Sequence, residues 1–426
     1  MRVCTTYGSP VPLRKDASMH EIRLDVFDRI PEGVGDESLV TLCGKDPSVV
    51  PASFGGLVDV GERDVKIPHR KIRSFHDFER TPDADAILSM LGEGGQEISK
   101  GAFKTSSFED LFSILDESRR IGRKHVLLGM GPLGEVTRIR QMVLGNEFTF
   151  GYEGVSTAPG QFSADEMEAL GDDCVLVGIT GHPLSHSLSP KMQNAAMRHA
   201  GINGRYLVFD SPSLDRVEDV IRGYGIRGMN VTIPYKQKIM EHLDRVSGAA
   251  EEVGAVNTVI NDDGVLSGEN TDVAGVIHAL SGVGLKGAKA LVMGSGGASR
   301  AAVYALMSSG ADVKVSGRNA KTVAEVCGAF GAESHQGGVG GFDVIVNCTP
   351  IGLVEGEYPS DLSDLRSGQA VMDMVYGRKT PLISRAEAAG CRLADGADML
   401  VGQGAESFRM WFGKEADMGV MRSELS

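Results

Sequence analysis

Strand-like and helix-like segments alternate along this 426-residue chain, and that alternation constrains its fold more than any other feature. Strands joined through helices need crossover connections, which build parallel sheets. From residue 1 to about 160, eight short runs carry the composition of strands: RVCTTY, EIRLDVF, LVTLC, GLVDVG, KIRSFHDF, EISKGAF, KHVLLGM and EFTFGYEG. Between the later runs, apolar residues recur every three or four positions in DADAILSML, SFEDLFSILDESRRI and LGEVTRIRQMVL, which predicts helices. Eight strands with helices between them predict a (β/α)8 barrel of the TIM type. The early connections VPLRKDASM, PEGVGDES and DPSVVPASFG are broken by Pro and Gly and too short for full helices. The expectation is therefore a barrel with reduced early helices.

The stretch FSADEMEALGDD predicts a helix capped by Ser163 that closes this first region. A second α/β series follows: strand CVLVGITG, helix SPKMQNAAMRHAG, strand RYLVFD, helix SLDRVEDVIRGYG and strand GMNVTIP. After VNTVIN, a hairpin turn at Asp262-Asp263-Gly264 leads to a helix around DVAGVIHALSGVG and to strand KALVMG. The expected division is 1–170 for the barrel, 171–272 plus 400–426 for a small α/β lobe, and 273–399 for a second α/β lobe.

A net charge of −14 argues against nucleic acid and anionic membrane as bulk partners. No apolar run approaches the roughly 18 residues of a membrane span, and the first residues lack the apolar core of a secretion signal. Six cysteines lie scattered without metal-ligand spacing, and nothing orders His182, His186, His199 and His278 into a cation site, so no metal is expected. The expected compartment is the cytoplasm.

The segment ALVMGSGGASRAAVYALMSSGADVKVSGRN reads as strand, glycine turn, helix, strand, the unit of a Rossmann nucleotide lobe. Gly294, Gly296 and Gly297, with Ser295 and Ala298 completing the turn, would bring a helix N-terminus onto a pyrophosphate. NAD sites usually place a carboxylate about 20 residues further on, where an Arg suits a 2′-phosphate. Here the next strand ends at Ser316 and Gly317, followed by Arg318 and Lys321, with no carboxylate. NADP is the expected cofactor.

The motifs GHPLSHSLSPKMQN, MNVTIPYKQK, GAVNTV, ENTDVAG, VNCTPIGL, DMVYGRKTPL and GADMLVGQGAESF follow one another in this order, and together they resemble shikimate dehydrogenase. The resemblance implies that Ser187, Ser189, Thr232, Asn257 and Gln403 hold the substrate's hydroxyls and carboxylate, with Asn230 nearby, and that Lys236 and Asp272 form the catalytic pair. Reducing a ketone leaves a developing alkoxide that needs a proton, and a Lys beside an Asp supplies it. Lys236 is expected at a strand end, Asp272 at a helix start, and Ser189 at the cap of a helix beginning near Pro190.

In the first region, HEIRLDVF, IRSFHDFERTP, EISKGAFKTS, LLGMGPLGEVTR and STAPGQFSADEM resemble type I 3-dehydroquinate dehydratase. That family uses a Schiff-base Lys and a His, here Lys100 and His76, with Lys104 the competing lysine. The resemblance assigns Arg138, Thr157 and Gln161 to the substrate, with Glu21, Arg23 and Asp25 matching its first cluster of charges. Alternation through EIRLD puts those three inside the barrel. Where the family carries an Arg and then a Glu-Gly-Gly loop, this chain has Leu42-Cys43-Gly44-Lys45-Asp46-Pro47, leaving Asp46 as the acid nearest that place.

Together these resemblances imply a bifunctional enzyme that dehydrates 3-dehydroquinate and then reduces 3-dehydroshikimate with NADPH. The partners expected are small molecules, with a homodimer as the possible assembly. The rival readings are a quinate dehydrogenase using NAD, a shikimate or quinate dehydrogenase with an inactive barrel, and a metabolite-sensing regulator without catalysis.

Overall fold

The computed structural model describes residues 1–425. Contacts divide them into two compact units: Met1–Gly178 with His182–Leu184 and Asn203–Ile226, and the remaining described residues.

The first unit is built on eight parallel strands: β1 (Val3–Tyr7), β2 (Met19–Arg23), β3 (Leu39–Thr41), β4 (Leu57–Asp59), β5 (Arg70–Asp77), β6 (Ile98–Lys104), β7 (His125–Met130) and β8 (Thr149–Glu153). Pairing runs without a break from β7 down to β1 and on to β8, which nearly closes a barrel. At the seam between β7 and β8 the ladder is reduced to a bridge from His125 to Asn146. There the Asn146 amide accepts from the Leu127 N–H at 2.7 Å and donates to the Leu127 carbonyl at 3.0 Å, as a strand's peptide would.

Alternation sorts each strand into an inner and an outer face. Toward the strand N-termini, Cys4, Met19, Leu39, Leu57, Ile72, Ile98, Val126 and Phe148 fill the interior as an apolar layer. Two residues further along the strands the inward positions turn polar, with Thr6, Glu21, Thr41, Asp59, Ser74 and Lys100.

The early helices are missing, as the Pro and Gly breaks predict: between β1 and β5 there is only a 3-10 turn, Pro47–Val49. Loop residues take their place. Leu13, Phe27, Ile30, Val34, Phe54, Val65 and Ile67 pack on the outward Ile22, Val40, Leu42, Val58 and Val60 of β2 to β4 and their extensions. Arg14 ties the first of these loops to the closing helix Ala164–Leu170 through Asp165 at 2.8 Å and Glu168 at 3.0 Å. That helix carries the expected Ser163 cap, completed by Glu166 into a capping box.

Two expectations for this unit change. The pattern LGEVTRIRQMVL yields only the helix Glu135–Ile139, because the chain turns at Gly145 (φ 64°) to bring Asn146 back to the seam. Strand β2 ends at Arg23, so Asp25 lies beyond it and leaves the interior face.

Strand β9 (Val175–Gly181) passes from the first unit into the second, and β10 (Gly204–Asp210) belongs to the first. In the second unit, β11 (Ile226–Val231), β12 (Arg245–Val246), β13 (Thr258–Asp262) and β14 (Val265–Glu269) pair in the order β11-β13-β14-β12. The β13–β14 hairpin turns where expected, with Asp263 at φ 48° and Gly264 at φ 90°.

The remaining strands are β15 (Lys289–Met293), β16 (Asp312–Ser316), β17 (Glu333–Ser334), β18 (Val344–Asn347), β19 (Ala370–Asp373) and β20 (Arg392–Ala394). Their parallel order, β17-β16-β15-β18-β19-β20, is the 3-2-1-4-5-6 of a Rossmann sheet. The sheet is covered on both faces, so its central strands β15, β18 and β19 are mostly apolar. Val292, Val315, Val346 and Met372 pack in one core with Ala302 and Leu306, while Leu291, Met293, Ile345 and Val371 pack in the other with Phe342 and Leu382. Among the described residues no helix is long and apolar enough to cross a membrane.

Candidate active sites

At the C-terminal ends of the barrel strands lies a cavity of about 330 Å³, large enough for a small ring. Glu21, Arg23, His76, Lys100, Arg138, Thr157 and Gln161 all line it. Lys100 is buried at mid-strand, with Nζ 3.7 Å from an Asp59 oxygen and 4.4 Å from the centre of the Phe150 ring. Lys104 is exposed at the end of the same strand and does not line the cavity.

His76 presents its ring to the cavity mouth, stacked on Phe78 with centroids 6.2 Å apart. Loss of solvation among the surrounding strand ends, and then the charge of Lys100, pull its pKa down to about 4, against the opposing pull of Asp59 and Glu21. The imidazole is thus neutral at physiological pH and ready to accept a proton.

Arg138 is buried, its Nε has no partner, and burial lowers its pKa to about 10. A desolvated guanidinium on a cavity wall suits a carboxylate ligand. Gln161 Oε1 accepts from both the amide and the hydroxyl of Thr157 at 3.0 Å, which ties the two candidate contacts together.

The first charge cluster divides. Glu21 is buried and accepts from Thr6 at 2.6 Å and from Thr41 at 2.7 Å. Asp25 stands outside the cavity, bound to Arg23 at 2.7 Å and to the Cys43 thiol at 3.1 Å. Asp46 does not supply the missing acid, since its carboxylate caps the turn Pro47–Val49 at the surface by accepting from Ser48 N. The acid present is one that the sequence reading overlooked, Asp59 on β4. Its inward position in GLVDVG, between Val58 and Val60, was the signal available.

The second site lies in the second unit. Lys236 Nζ donates to Asp272 Oδ2 at 2.5 Å, and Asn257 Nδ2 donates to Asp272 Oδ1 at 2.9 Å. Asp272 opens the helix Asp272–Ala279, as expected. Lys236 does not end a strand: β11 stops at Val231, and Lys236 follows in the turn after Pro234.

That helix crosses the helix Gly396–Phe412 closely because both present glycine at the contact. A Cβ on Gly275 would stand 2.7 Å from the Met399 carbonyl, and one on Gly402 would stand 3.1 Å from the Gly275 Cα. The close crossing brings Gln403 Oε1 to 3.5 Å from Asn257 Nδ2.

Behind Asn257, the hydroxyls of Thr258, Thr271 and Ser407 bond to one another at 2.8–3.1 Å, a buried network with no distinctive sequence pattern. Asn230 donates into this network at Ser407 (2.9 Å) and Thr258 (3.1 Å), so its amide is engaged there. Ser189 is buried inside its helix, whose cap position falls on Leu188, so it does not serve as the cap. Ser187 and Thr232 are half-buried. Tyr376, also overlooked, accepts from the Leu188 backbone and anchors that helix start.

Beside Lys236 opens a cleft of about 620 Å³, lined by Gly294, Ser295, Gly296, Gly297, Ala298 and Arg318 among others. Gly294 has φ 122°, and a Cβ there would meet Ser299 Oγ at 2.6 Å. A Cβ on Gly297 would stand 3.2 Å from the Lys236 Cβ, so the lysine stem rests on the glycine turn. The helix Gly297–Ser308 starts without a side-chain cap, leaving its first N–H groups available to an anion.

Ser316 and Lys321 are not among the cleft residues. Ser316 is buried and accepts from Ser360 at 2.9 Å, while Lys321 lies in the first turn of an exposed helix end. Of the two cations read from the sequence, Arg318 is the one that lines the cleft.

A Rossmann sheet with its glycine turn, and a Lys–Asp pair resting on that turn, define a dinucleotide-dependent oxidoreductase. The other unit brings a buried lysine, Lys100, and a histidine, His76, to one cavity. Residues 179–259 match the Shikimate dehydrogenase substrate binding domain, residues 396–425 the Shikimate 5′-dehydrogenase C-terminal domain, and residues 61–171 Type I 3-dehydroquinase. The Shikimate dehydrogenase (NADP(+)) of Archaeoglobus fulgidus is 41% identical over 264 residues, which take in 58% of this chain and 96% of that protein.

Among solved structures, Thermus thermophilus shikimate 5-dehydrogenase in complex with NADP(H) and shikimate aligns with TM-score 0.55 at 35% identity, covering 59% of this chain and 98% of the other. Corynebacterium glutamicum quinate dehydrogenase in complex with NAD aligns with TM-score 0.53 at 33% identity over 59% and 98%. The chain belongs to the shikimate dehydrogenase family and carries a type I 3-dehydroquinase domain ahead of it. The dehydroquinase match begins at residue 61, past the strands that lack helices.

Proposed function

We propose that the chain catalyses two consecutive steps of the shikimate pathway: dehydration of 3-dehydroquinate in the barrel, and NADPH-dependent reduction of the resulting 3-dehydroshikimate to shikimate in the second unit. The observation that carries the reading is the Lys236–Asp272 pair at 2.5 Å, with the lysine stem packed on Gly297 of the nucleotide turn.

In the barrel, the Lys100 amine adds to the ring ketone, whose oxygen leaves as water, and an iminium remains. His76 removes a proton from the adjacent carbon and returns it to the neighbouring hydroxyl, which departs as a second water. Hydrolysis of the iminium frees the product and the lysine. Arg138 binds the substrate carboxylate, and Glu21, Arg23, Thr157 and Gln161 orient its hydroxyls.

In the second unit, the positive-φ glycine at 294, the close approach at Gly297 and the uncapped helix start fit a dinucleotide, with Arg318 at the 2′-phosphate. The cofactor, when bound, supplies the hydride. Lys236 delivers a proton to the developing alkoxide while Asp272, itself held by the Asn257 amide, keeps its ammonium in place. Ser187, Ser189, Thr232 and Gln403 bind the substrate's carboxylate and hydroxyls, and Asn230 steadies Asn257 from behind.

The division into 1–170, 171–272 plus 400–426, and 273–399 belongs to this reading, as do a cytoplasmic setting and a homodimer, which sedimentation would check. The test is to supply the purified chain with 3-dehydroquinate and NADPH. Shikimate should form with equal consumption of NADPH. Preference for NADH and quinate, or dehydroshikimate never appearing, would overturn the corresponding half.

A further inference from the structure

We propose that Asp59 is the positioning residue of the dehydration: it fixes Lys100 and keeps a negative charge opposite its nitrogen. The proposal rests on the Schiff-base reading of the barrel.

The strand register brings the parts together. Ser74 lies directly opposite Lys100 across β5 and β6, and β4, which ends at Asp59, pairs with β5 on its other side. Asp59 is buried, its side chain 1% exposed. Its Oδ1 accepts from the Ser74 hydroxyl at 2.6 Å and from Gly61 N at 2.9 Å, which sets the carboxylate plane. Its Oδ2 is buried, accepts no hydrogen bond, and is the oxygen that faces Lys100 Nζ at 3.7 Å.

A buried carboxylate oxygen without a donor is costly unless a cation answers it. The other acid of this layer, Glu21, has both oxygens engaged by Thr6 and Thr41. On its other side the Lys100 nitrogen meets the Phe150 ring at 4.4 Å, a face that also favours positive charge.

The chemistry uses this arrangement twice. In the free enzyme Asp59 holds the lysine in the barrel axis. After the amine has formed its carbon–nitrogen bond and the ketone oxygen has left as water, the same nitrogen carries the iminium charge. A carboxylate already fixed by Ser74 and Gly61 meets that charge without reorganising. Asp59 also acts against Lys100 on the His76 ring, favouring the proton that His76 must hold for a moment.

The test compares Asp59→Asn and Ser74→Ala with the unchanged full chain. For each, dehydration kcat and KM are measured, together with the rate of borohydride trapping of 3-dehydroquinate on Lys100 by mass spectrometry; loss of dehydration activity in denaturant, relative to the unchanged chain, serves as the control for barrel folding, and shikimate oxidation checks the other unit. For Asp59→Asn, kcat and trapping should both fall on the order of 100-fold, with KM within about 3-fold and shikimate oxidation unchanged. For Ser74→Ala, which only loosens the carboxylate, kcat should fall about 10-fold.

Wild-type kcat and trapping in Asp59→Asn, or a change confined to KM, would overturn the proposal. Should Asp59→Asn fail to fold, an unchanged kcat in Ser74→Ala overturns it instead. If the unchanged protein forms no Lys100 adduct, the Schiff-base reading falls first and this proposal falls with it.

Discussion

At the scale of single residues, the two lysines take contrasting places. Lys236 sits between a carboxylate and a glycine turn and, in the proposed mechanism, needs only to hand over a proton. Replacing it by Ala should cut shikimate oxidation by about 10³-fold or more while leaving NADP binding intact, as steady-state rates and a fluorescence titration of NADPH would show. In the proposed mechanism Lys100 must instead become a nucleophile, beside a histidine whose pKa is drawn down to about 4 from the ordinary 6.5. Neutral His76 is the working form, so kcat/KM for dehydration should hold steady through pH 6 and fall only as pH drops through about 4. An acid limb near 6.5 would refute this. The same depression bears on stability: above 6.5 His76 is neutral in both folded and unfolded chains, and as pH falls toward 4 the unfolded chain alone takes the proton, so folding weakens. Most of these side chains were legible in the sequence, because reactive residues fall inside recognisable motifs. Asp59 was not, since an isolated Asp in a short valine-rich strand looks like many others until the strands on either side are in place.

At the scale of elements, the close crossing of the helices Asp272–Ala279 and Gly396–Phe412 aligns the dehydrogenase site. Gly275 allows it, because a methyl there would meet the Met399 carbonyl at 2.7 Å. Gly275→Ala should therefore push Gln403 away from Asn257, at a cost of about 1–3 kcal/mol in stability and with roughly a 10-fold rise in KM for shikimate, one decade being about 1.4 kcal/mol of binding. Unchanged kinetics would show that the crossing has slack. All eight barrel strands and the Rossmann unit were readable from periodicity, which records what each face buries. What periodicity missed were endings: the helix after Pro132, which stops at Ile139 so that the chain can return to the seam, and the strand that stops at Val231 short of Lys236. Endings depend on distant partners such as Leu127, which no local window contains.

At the scale of the whole molecule, the two sites draw on separate residues: the barrel-end cavity is lined from the first unit and the nucleotide cleft from the second. Lys100→Ala should accordingly abolish dehydration while shikimate oxidation stays within about 2-fold of normal, additivity being expected of sites that share no partner. Loss of both activities would reveal a dependence of one half on the other. The loops that stand in for helices around β2 to β4 carry a further consequence. Phe27, Phe54 and Ile67, with Leu13, Ile30, Val34 and Val65, lie in segments with no regular structure, yet together they form the apolar wall packed on those strands. Peptide bonds in these segments are thus tied to the barrel's integrity, and a protease should reach them only when the whole barrel opens. Limited digestion should cut Asp28–Glu37 and Glu62–Asp64 no faster than dehydration activity is lost in denaturant, and early nicking with full activity would show that the wall is only draped over the strands. Here irregular chain behaves as masonry, and the sites usually sacrificed first to a protease become reporters of global unfolding.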